Sequence, residues 1–265
     1  MRADLLRTCR KAGRYAEHAR KILRILERTA MQYKTELHLH TSDVSRCAKM
    51  LPEEVAEKYI AAGYTTVVVT NHYAEYIFDG KGRWEECINA YLDGYRRMKE
   101  YAKGRLNVLL GAEIRNYYSK NDYLLYGTDE EFLRKHQNLH RINDRELSAL
   151  ARANDVLLVQ AHPFRNDMTV TDPTLLDGIE VFNGTPHTES RNHIANAWAK
   201  EFGLLRTSGS DFHGGRYIIA GGILTDTPIT SPEELKSTLR SGDYTLICEG
   251  PSAERNGMTN MPAKY

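Results

Sequence analysis

Tyr33-Lys34-Thr35-Glu36-Leu37-His38-Leu39-His40 reads as the first core strand, and the rest of the fold follows from it. Side chains alternate across a strand, so His38 and His40 point to the same face. Further apolar, β-rich runs stand at 65–70, 108–114, 123–126, 156–161, 178–182, 204–208 and 244–247. Helical patterns separate them at 52–62, 84–103, 145–154, 190–202 and 232–241. The first of these opens on Pro52 followed by two glutamates, which suits the positive N-terminal end of a helix. The last is introduced by Ser231-Pro-Glu-Glu. Strand–helix alternation of this kind argues for an α/β protein with a parallel sheet closed, or nearly closed, into a barrel. A chain of 265 residues accommodates such a barrel, which needs roughly 250.

Residues 1–30 differ in character. They are rich in Arg and Lys, with a helical apolar pattern through Leu5, Leu6, Ile22, Leu23, Ile25 and Leu26. Two readings stand: a basic amphipathic helix that docks on the domain or a partner, or a start placed upstream of a biological one at Met31. Neither places chemistry there. With no internal repeat or low-complexity linker, the expected organisation is one domain over 31–265 behind a helical extension at 1–30.

Composition narrows the class. Hydrophobic content of 41% and charged content of 27% are those of an ordinary globular protein. A net charge of +1 argues against a surface built for bulk capture of nucleic acid. No apolar run reaches the roughly 18 residues of a membrane span, and the N-terminus lacks the apolar core of a signal peptide. Cys9, Cys47, Cys87 and Cys248 form no CxxC pair, which points to a reducing, cytoplasmic compartment.

The histidines carry the chemistry. His38 and His40 end the first strand; Asp211-Phe212-His213 repeats their i, i+2 spacing after the run at 204–208. His72, Glu113 and His162 each lie at the carboxyl end of another apolar run. One such histidine is most often a hydrogen-bonded core or loop residue. Seven His, Glu and Asp side chains on five strand ends form a pattern, and in αβ barrels that rim is where sites form. Imidazole with carboxylate suits zinc, manganese or iron. A carboxylate such as Glu113 can bridge two ions, and paired ions about 4 Å apart clamp the oxygens of a phosphoryl displacement.

These segments resemble the motifs of the PHP family, the phosphoesterase domain shared by histidinol phosphatases and bacterial replicative polymerases. Glu36-Leu-His-Leu-His-Thr41 is similar to its first motif, Thr70-Asn-His72 to its second and Gly111-Ala-Glu113 to its third. Ala161-His-Pro-Phe-Arg165 resembles the later His-Pro motif, and Gly209-Ser-Asp-Phe-His213 the last. The resemblance runs from about residue 34 to 248 and implies a distorted (βα)7 TIM-like barrel hydrolysing a phosphate ester with two or three divalent ions. On this resemblance His38, His40, Glu113 and Asp211 hold the first ion. Glu113 bridges to a second that also takes His162, while His72 and His213 belong to a third position.

The match departs in three places. Asn71 stands where many members have Asp. The segment Ser42-Asp-Val-Ser-Arg-Cys47 replaces a further first-motif ligand, leaving Asp43 or a rearranged Cys47 as substitutes. Thr128 and Asp129 follow the strand at 123–126 where a His is common, with His136 and His140 further on.

Arg165 should project from the His162 loop and grip phosphate oxygens bidentately. Arg191, His187 and His193 flank the segment Glu180–Gly184, where Glu180 and Asn183 could orient ligands. The expected substrate is a small phosphorylated compound, with Asp211, His213 and Arg165 as the catalytic side chains and Arg165, Asp43 and Arg191 as substrate contacts. The expected reaction is monoester hydrolysis, by in-line attack of an activated water while Arg165 neutralises the equatorial oxygens. A phosphodiesterase or nuclease is the alternative within the same chemistry, although no aromatic–basic strip favours nucleic acid. A non-catalytic metal-binding regulatory module is the alternative from another class. The oligomeric state is not legible.

Overall fold

The chain is described by a computed structural model over residues 32–264, so the helical extension expected at 1–30 lies outside the described residues. Strand β1 (Tyr33–Leu39) forms as expected, and from Glu36 onward every one of its side chains is buried. It lies between β2 (Tyr64–Val69), parallel to it, and β10 (Ile223–Thr225), antiparallel. The expected run at 108–114 is two strands, β4 (Asn107–Leu110) and β5 (Ala112–Arg115), broken at Gly111. A side chain at Gly111 would stand 2.9 Å from both Leu125 O and Val68 Cγ1, so only glycine lets the chain turn there.

That break divides the strands into two six-stranded sheets. The first adds β11 (Thr245–Leu246) and β12 (Met261–Pro262), in the order β12-β11-β10-β1-β2-β4. The second holds β3 (His72–Tyr73), β6 (Asp122–Tyr126), β7 (Leu157–Gln160), β8 (Gly178–Asn183) and β9 (Leu205–Gly209), in the order β3-β5-β6-β7-β8-β9. The α/β class stands, whereas no closed barrel of seven βα units is found among the described residues. Five of the ten pairings are antiparallel. Parallel neighbours need a crossover of a dozen or more residues. The short link from β5 to β6 cannot supply one, so β6 returns antiparallel. Where the sheets approach each other, β1 meets the segment after β9 through one bridge, Leu39 to Phe212.

Helices α1 (Pro52–Ala61), α2 (Glu75–Phe78), α3 (Trp84–Tyr101) and α4 (Glu130–Lys135) follow in chain order. Then come α5 (Asp144–Ala153), α6 (Asn192–Phe202), α7 (Pro232–Ser241) and α8 (Gly250–Asn256). Their starts obey local chemistry. Pro52 opens α1 ahead of Glu53 and Glu54, Asn143 and Glu146 close a reciprocal cap on α5, and Ser231 caps α7. Helix α6 begins two residues later than expected because Arg191 adopts a left-handed conformation (φ 49°). No helix among the described residues is long and apolar enough to cross a membrane.

Candidate metal centre

The seven residues singled out in the sequence converge in one buried cluster. His38 and His40 stand at the end of β1 with ring centroids 5.1 Å apart, both fully buried. Glu113 on β5 reaches between them. Its Oε1 lies 3.2 Å from His38 Nε2 and 3.1 Å from His162 Nε2. Its Oε2 lies 3.4 Å from His40 Nε2 and 2.6 Å from His72 Nδ1. Asp211 Oδ1 approaches His38 Nε2 at 3.4 Å and His40 Nε2 at 3.3 Å. The rings of His40 and His213 stack at 4.1 Å. Two members have positive φ, His162 at 29° and Asp211 at 50°, a region that side chains other than glycine's enter at a cost.

A metal fits this arrangement. His38 Nε2 and His40 Nε2 are fully buried, and neither makes a hydrogen bond. Burying polar atoms without partners is costly, so atoms that converge yet stay unpartnered are placed for something else to bind. Three sets of ligand atoms lie within 4.8 Å of one another: His38/Glu113/His162, His38/His40/Asp211 and His40/His72/His213.

Neighbouring groups fix which nitrogen each imidazole presents. His38 Nδ1 bonds Glu180 Oε1 at 2.8 Å, and His40 Nδ1 bonds Ser45 Oγ at 3.2 Å, so Nε2 of each faces inward. Glu180 also accepts from His162 N–H and from Asn183 Nδ2. Beneath the cluster, Glu36 accepts from five donors: Leu37 N, His38 N, Ser210 N, Ser210 Oγ and Tyr59 OH. Burial nevertheless pushes its pKa up to about 7.

Within the cluster the charges respond to one another. Burial opposes the His38 cation, yet Glu180, Asp211 and Glu113 outweigh it and hold the pKa well above the usual value. Burial likewise opposes ionisation of Glu113 and Asp211. Each is nevertheless held well below the carboxylate range, Glu113 chiefly by His38 and His72, Asp211 by His38 and Arg165. His40 is driven well below its usual value by burial and by the His213 and His72 charges. His72, half-buried, is raised to about 10 by Glu113 against the opposition of its surroundings to charge.

Three residues engage different partners than the sequence suggested. Arg165 is in the site but does not offer a free fork. It donates to Asp211 Oδ2 at 2.6 Å, Asn183 Oδ1 at 2.8 Å and Ser190 Oγ at 3.2 Å. Arg191 donates to Phe164 O and Asn166 Oδ1, bracing the loop after His162 rather than facing the cluster. Asp43 is exposed and turned onto α3, where the absent side chain of Gly94 leaves room for its carboxylate. The thiol of Cys47 takes the place beside the cluster, with Sγ 3.3 Å from His72 Nε2. Burial opposes its ionisation, but hydrogen bonds from His213 and His72 pull its pKa down to about 6.

Asp122 was not legible as a site residue. It is buried, with Oδ2 3.8 Å from His162 Nε2 and 2.9 Å from Arg115 Nη1. Because β6 runs antiparallel to β5, its first residue, not its last, reaches the ligand end of the sheet. Thr128 and Asp129, beyond the far end of β6, serve the fold instead: Asp129 caps α4. His140 pairs with Asp79, His187 packs on Tyr217 and His193 bonds Asn256, so none of the three joins the cluster.

No protein-family model matches the chain, and no curated protein matches its sequence. Solved structures do resemble its fold. PsfC from Pseudomonas syringae is 18% identical with a TM-score of 0.56, over 78% of this chain and 88% of that one. A protein from Bifidobacterium adolescentis assigned as a metal-dependent phosphoesterase is 16% identical with a TM-score of 0.50, over 78% and 96%. The lesion-specific endonuclease PfuEndoQ from Pyrococcus furiosus is 15% identical with a TM-score of 0.57, over 82% of this chain but 58% of its own length. The likeness to these three structures is one of fold.

Proposed function

We propose that this chain is a metal-dependent hydrolase of phosphate monoesters, acting on a small phosphorylated compound. The observation that carries the reading is the convergence of buried imidazole nitrogens, those of His38 and His40 without hydrogen-bond partners, on the carboxylates of Glu113 and Asp211. His38, His40, Glu113 and Asp211 would hold one ion, Glu113 and His162 a second, and His72 and His213 a third position. A divalent zinc, manganese or iron ion held by these residues would supply Lewis-acid chemistry for phosphate-ester hydrolysis. The two sheets act as the walls of a distorted barrel around that chemistry, in a cytoplasmic protein.

The chain's own residues supply the rest. Arg165 acts through Asp211: its guanidinium holds Oδ2 and leaves Oδ1 turned to His38 and His40. It also offsets part of the negative charge that Glu113, Asp211 and Glu180 concentrate before an anionic substrate arrives. Glu180 keeps His38 in the tautomer that presents Nε2. His213, buried and held through Nδ1 by Asp211 O, leaves its Nε2 to serve the third metal position. A cavity of about 410 Å³ is lined by Val44, Arg46, Tyr76 and Tyr91, with Arg46 over the Tyr76 ring at 5.3 Å and Tyr76 edge-on to His72 at 6.4 Å, and would give a leaving group room on the His72 side.

The test is hydrolysis of an aryl phosphate against its bis-aryl diester, with metal content measured on the same samples. Faster turnover of the monoester is expected, and His38→Ala or Asp211→Ala should lose metal and turnover together. Full turnover by a metal-free variant would sink the metal-dependent reading. Preference for the diester would move the assignment to a phosphodiesterase or nuclease. Stoichiometric metal with no turnover of either ester would favour a regulatory metal-binding module.

A further inference from the structure

We propose that Cys47 is a metal ligand, completing with His72 and His213 a sulfur-containing position that takes zinc or ferrous iron in preference to manganese or magnesium. The inference rests on the metal-centre reading above and adds a donor to it. Cys47 is exposed, yet its Sγ lies 3.3 Å from His72 Nε2, and His213 hydrogen-bonds the same sulfur. His72 turns Nδ1 towards Glu113 at 2.6 Å, so Nε2 is the nitrogen left facing the thiol. A second observation points to a ligand here independently of the cysteine. His40 is fully buried, its Nε2 has no hydrogen-bond partner, and it belongs with His72 and His213 to one set of ligand atoms within 4.8 Å.

The loop that carries Cys47 is held in place from several sides. Ser45 Oγ bonds His40 Nδ1, donates to Asn71 Oδ1 and accepts from His72 N. Ser45 N closes a turn onto Thr41 O, and Lys49 N donates to His213 O at 2.7 Å. The sulfur is therefore presented by a loop tied to three of the imidazoles it would join. Asp43, the only carboxylate between His40 and Cys47, is turned away onto Gly94 and leaves the thiol as that loop's donor. Thiolate is a soft ligand. It selects zinc or iron, whereas an all-oxygen and imidazole set tolerates manganese and magnesium.

The experiment uses the full-length protein, stripped with a chelator and reloaded with cobalt(II), with bound cobalt counted in each sample. A sulfur-to-cobalt charge-transfer band in the near ultraviolet is expected in the wild type. It should vanish in Cys47→Ser and persist in Cys87→Ser, the cysteine of α3, which belongs to none of the sets of converging ligand atoms. Zinc-over-manganese retention should also fall at least about tenfold in Cys47→Asp, which offers a harder donor in place of sulfur. Cobalt uptake without the band, a band that survives Cys47→Ser, or an unchanged zinc-to-manganese ratio in Cys47→Asp would overturn the proposal while leaving the metal centre standing. No cobalt uptake at all would overturn the metal-centre reading, and this proposal with it.

Discussion

At the scale of single residues, the same side-chain type takes opposite characters according to what surrounds it. Three cysteines are free among the described residues, and their environments set them apart. His213 and His72 pull Cys47 down to about 6 against burial, while burial pushes Cys248 up to about 12. In metal-stripped protein at pH 7, Cys47 is therefore the cysteine with thiolate character and Cys248 is held as the thiol. Alkylation followed by mass spectrometry should modify Cys47 first and Cys248 last, with the Cys47 rate falling as pH drops through 6. Equal rates at the two positions would contradict the environments described. Glu180 offers a parallel test, since it touches no reacting group and acts through His38 Nδ1. Glu180→Gln should weaken metal binding by about 10- to 100-fold, the usual cost of losing an outer partner. Titration with a metal indicator would measure it.

At the scale of elements, the close approach of β1 and β9 places the cluster, and a glycine permits it. A Cβ at Gly209 would collide with His38 Cβ and stand 2.7 Å from Glu180 Oε1. Gly209→Ala should cost about 1–3 kcal/mol in urea unfolding, as overpacking does. It should also lower metal content, because His38 and its partner are the atoms displaced. Glu36 is the other tie between β1 and the start of the Asp211 segment, through Ser210. A capping substitution serves as the control. Asn143→Ala on α5 should cost about 1 kcal/mol and leave metal content untouched, since α5 supplies no ligand. Were both variants to lose metal equally, the loss would report general instability rather than the seam.

At the scale of the whole molecule, the centre concentrates charge that metal would balance. In the metal-free protein Glu113 and Asp211 are held below their usual values, so their contribution to stability is present above about pH 4 and is lost as pH falls. His72 is raised to about 10, so its contribution is complete below about pH 6.5 and is lost as pH rises towards 10. Thermal unfolding of stripped protein should therefore show a stability maximum between these limits. Adding zinc at about 100 times its Kd should stabilise by about 2.7 kcal/mol, with a gain that shrinks in acid as protons compete for the ligands. A melting temperature indifferent to both chelator and pH would argue against a buried centre. Much of this was legible in the sequence. The period-two pattern placed His38 and His40 on one face, and strand-end positions marked Glu113, His162, Asp211 and His213, because these depend on local alternation that neighbouring residues dictate. Helix starts at Pro52 and Ser231 were legible for the same reason. What only the tertiary structure decided was how strands pair and which loop donor turns inward. Strand direction made Asp122 a neighbour of His162, Gly94 on a distant helix drew Asp43 outward, and Asp211 claimed the guanidinium of Arg165. Each of these depends on contacts between segments far apart in the chain, and local pattern carries no record of them.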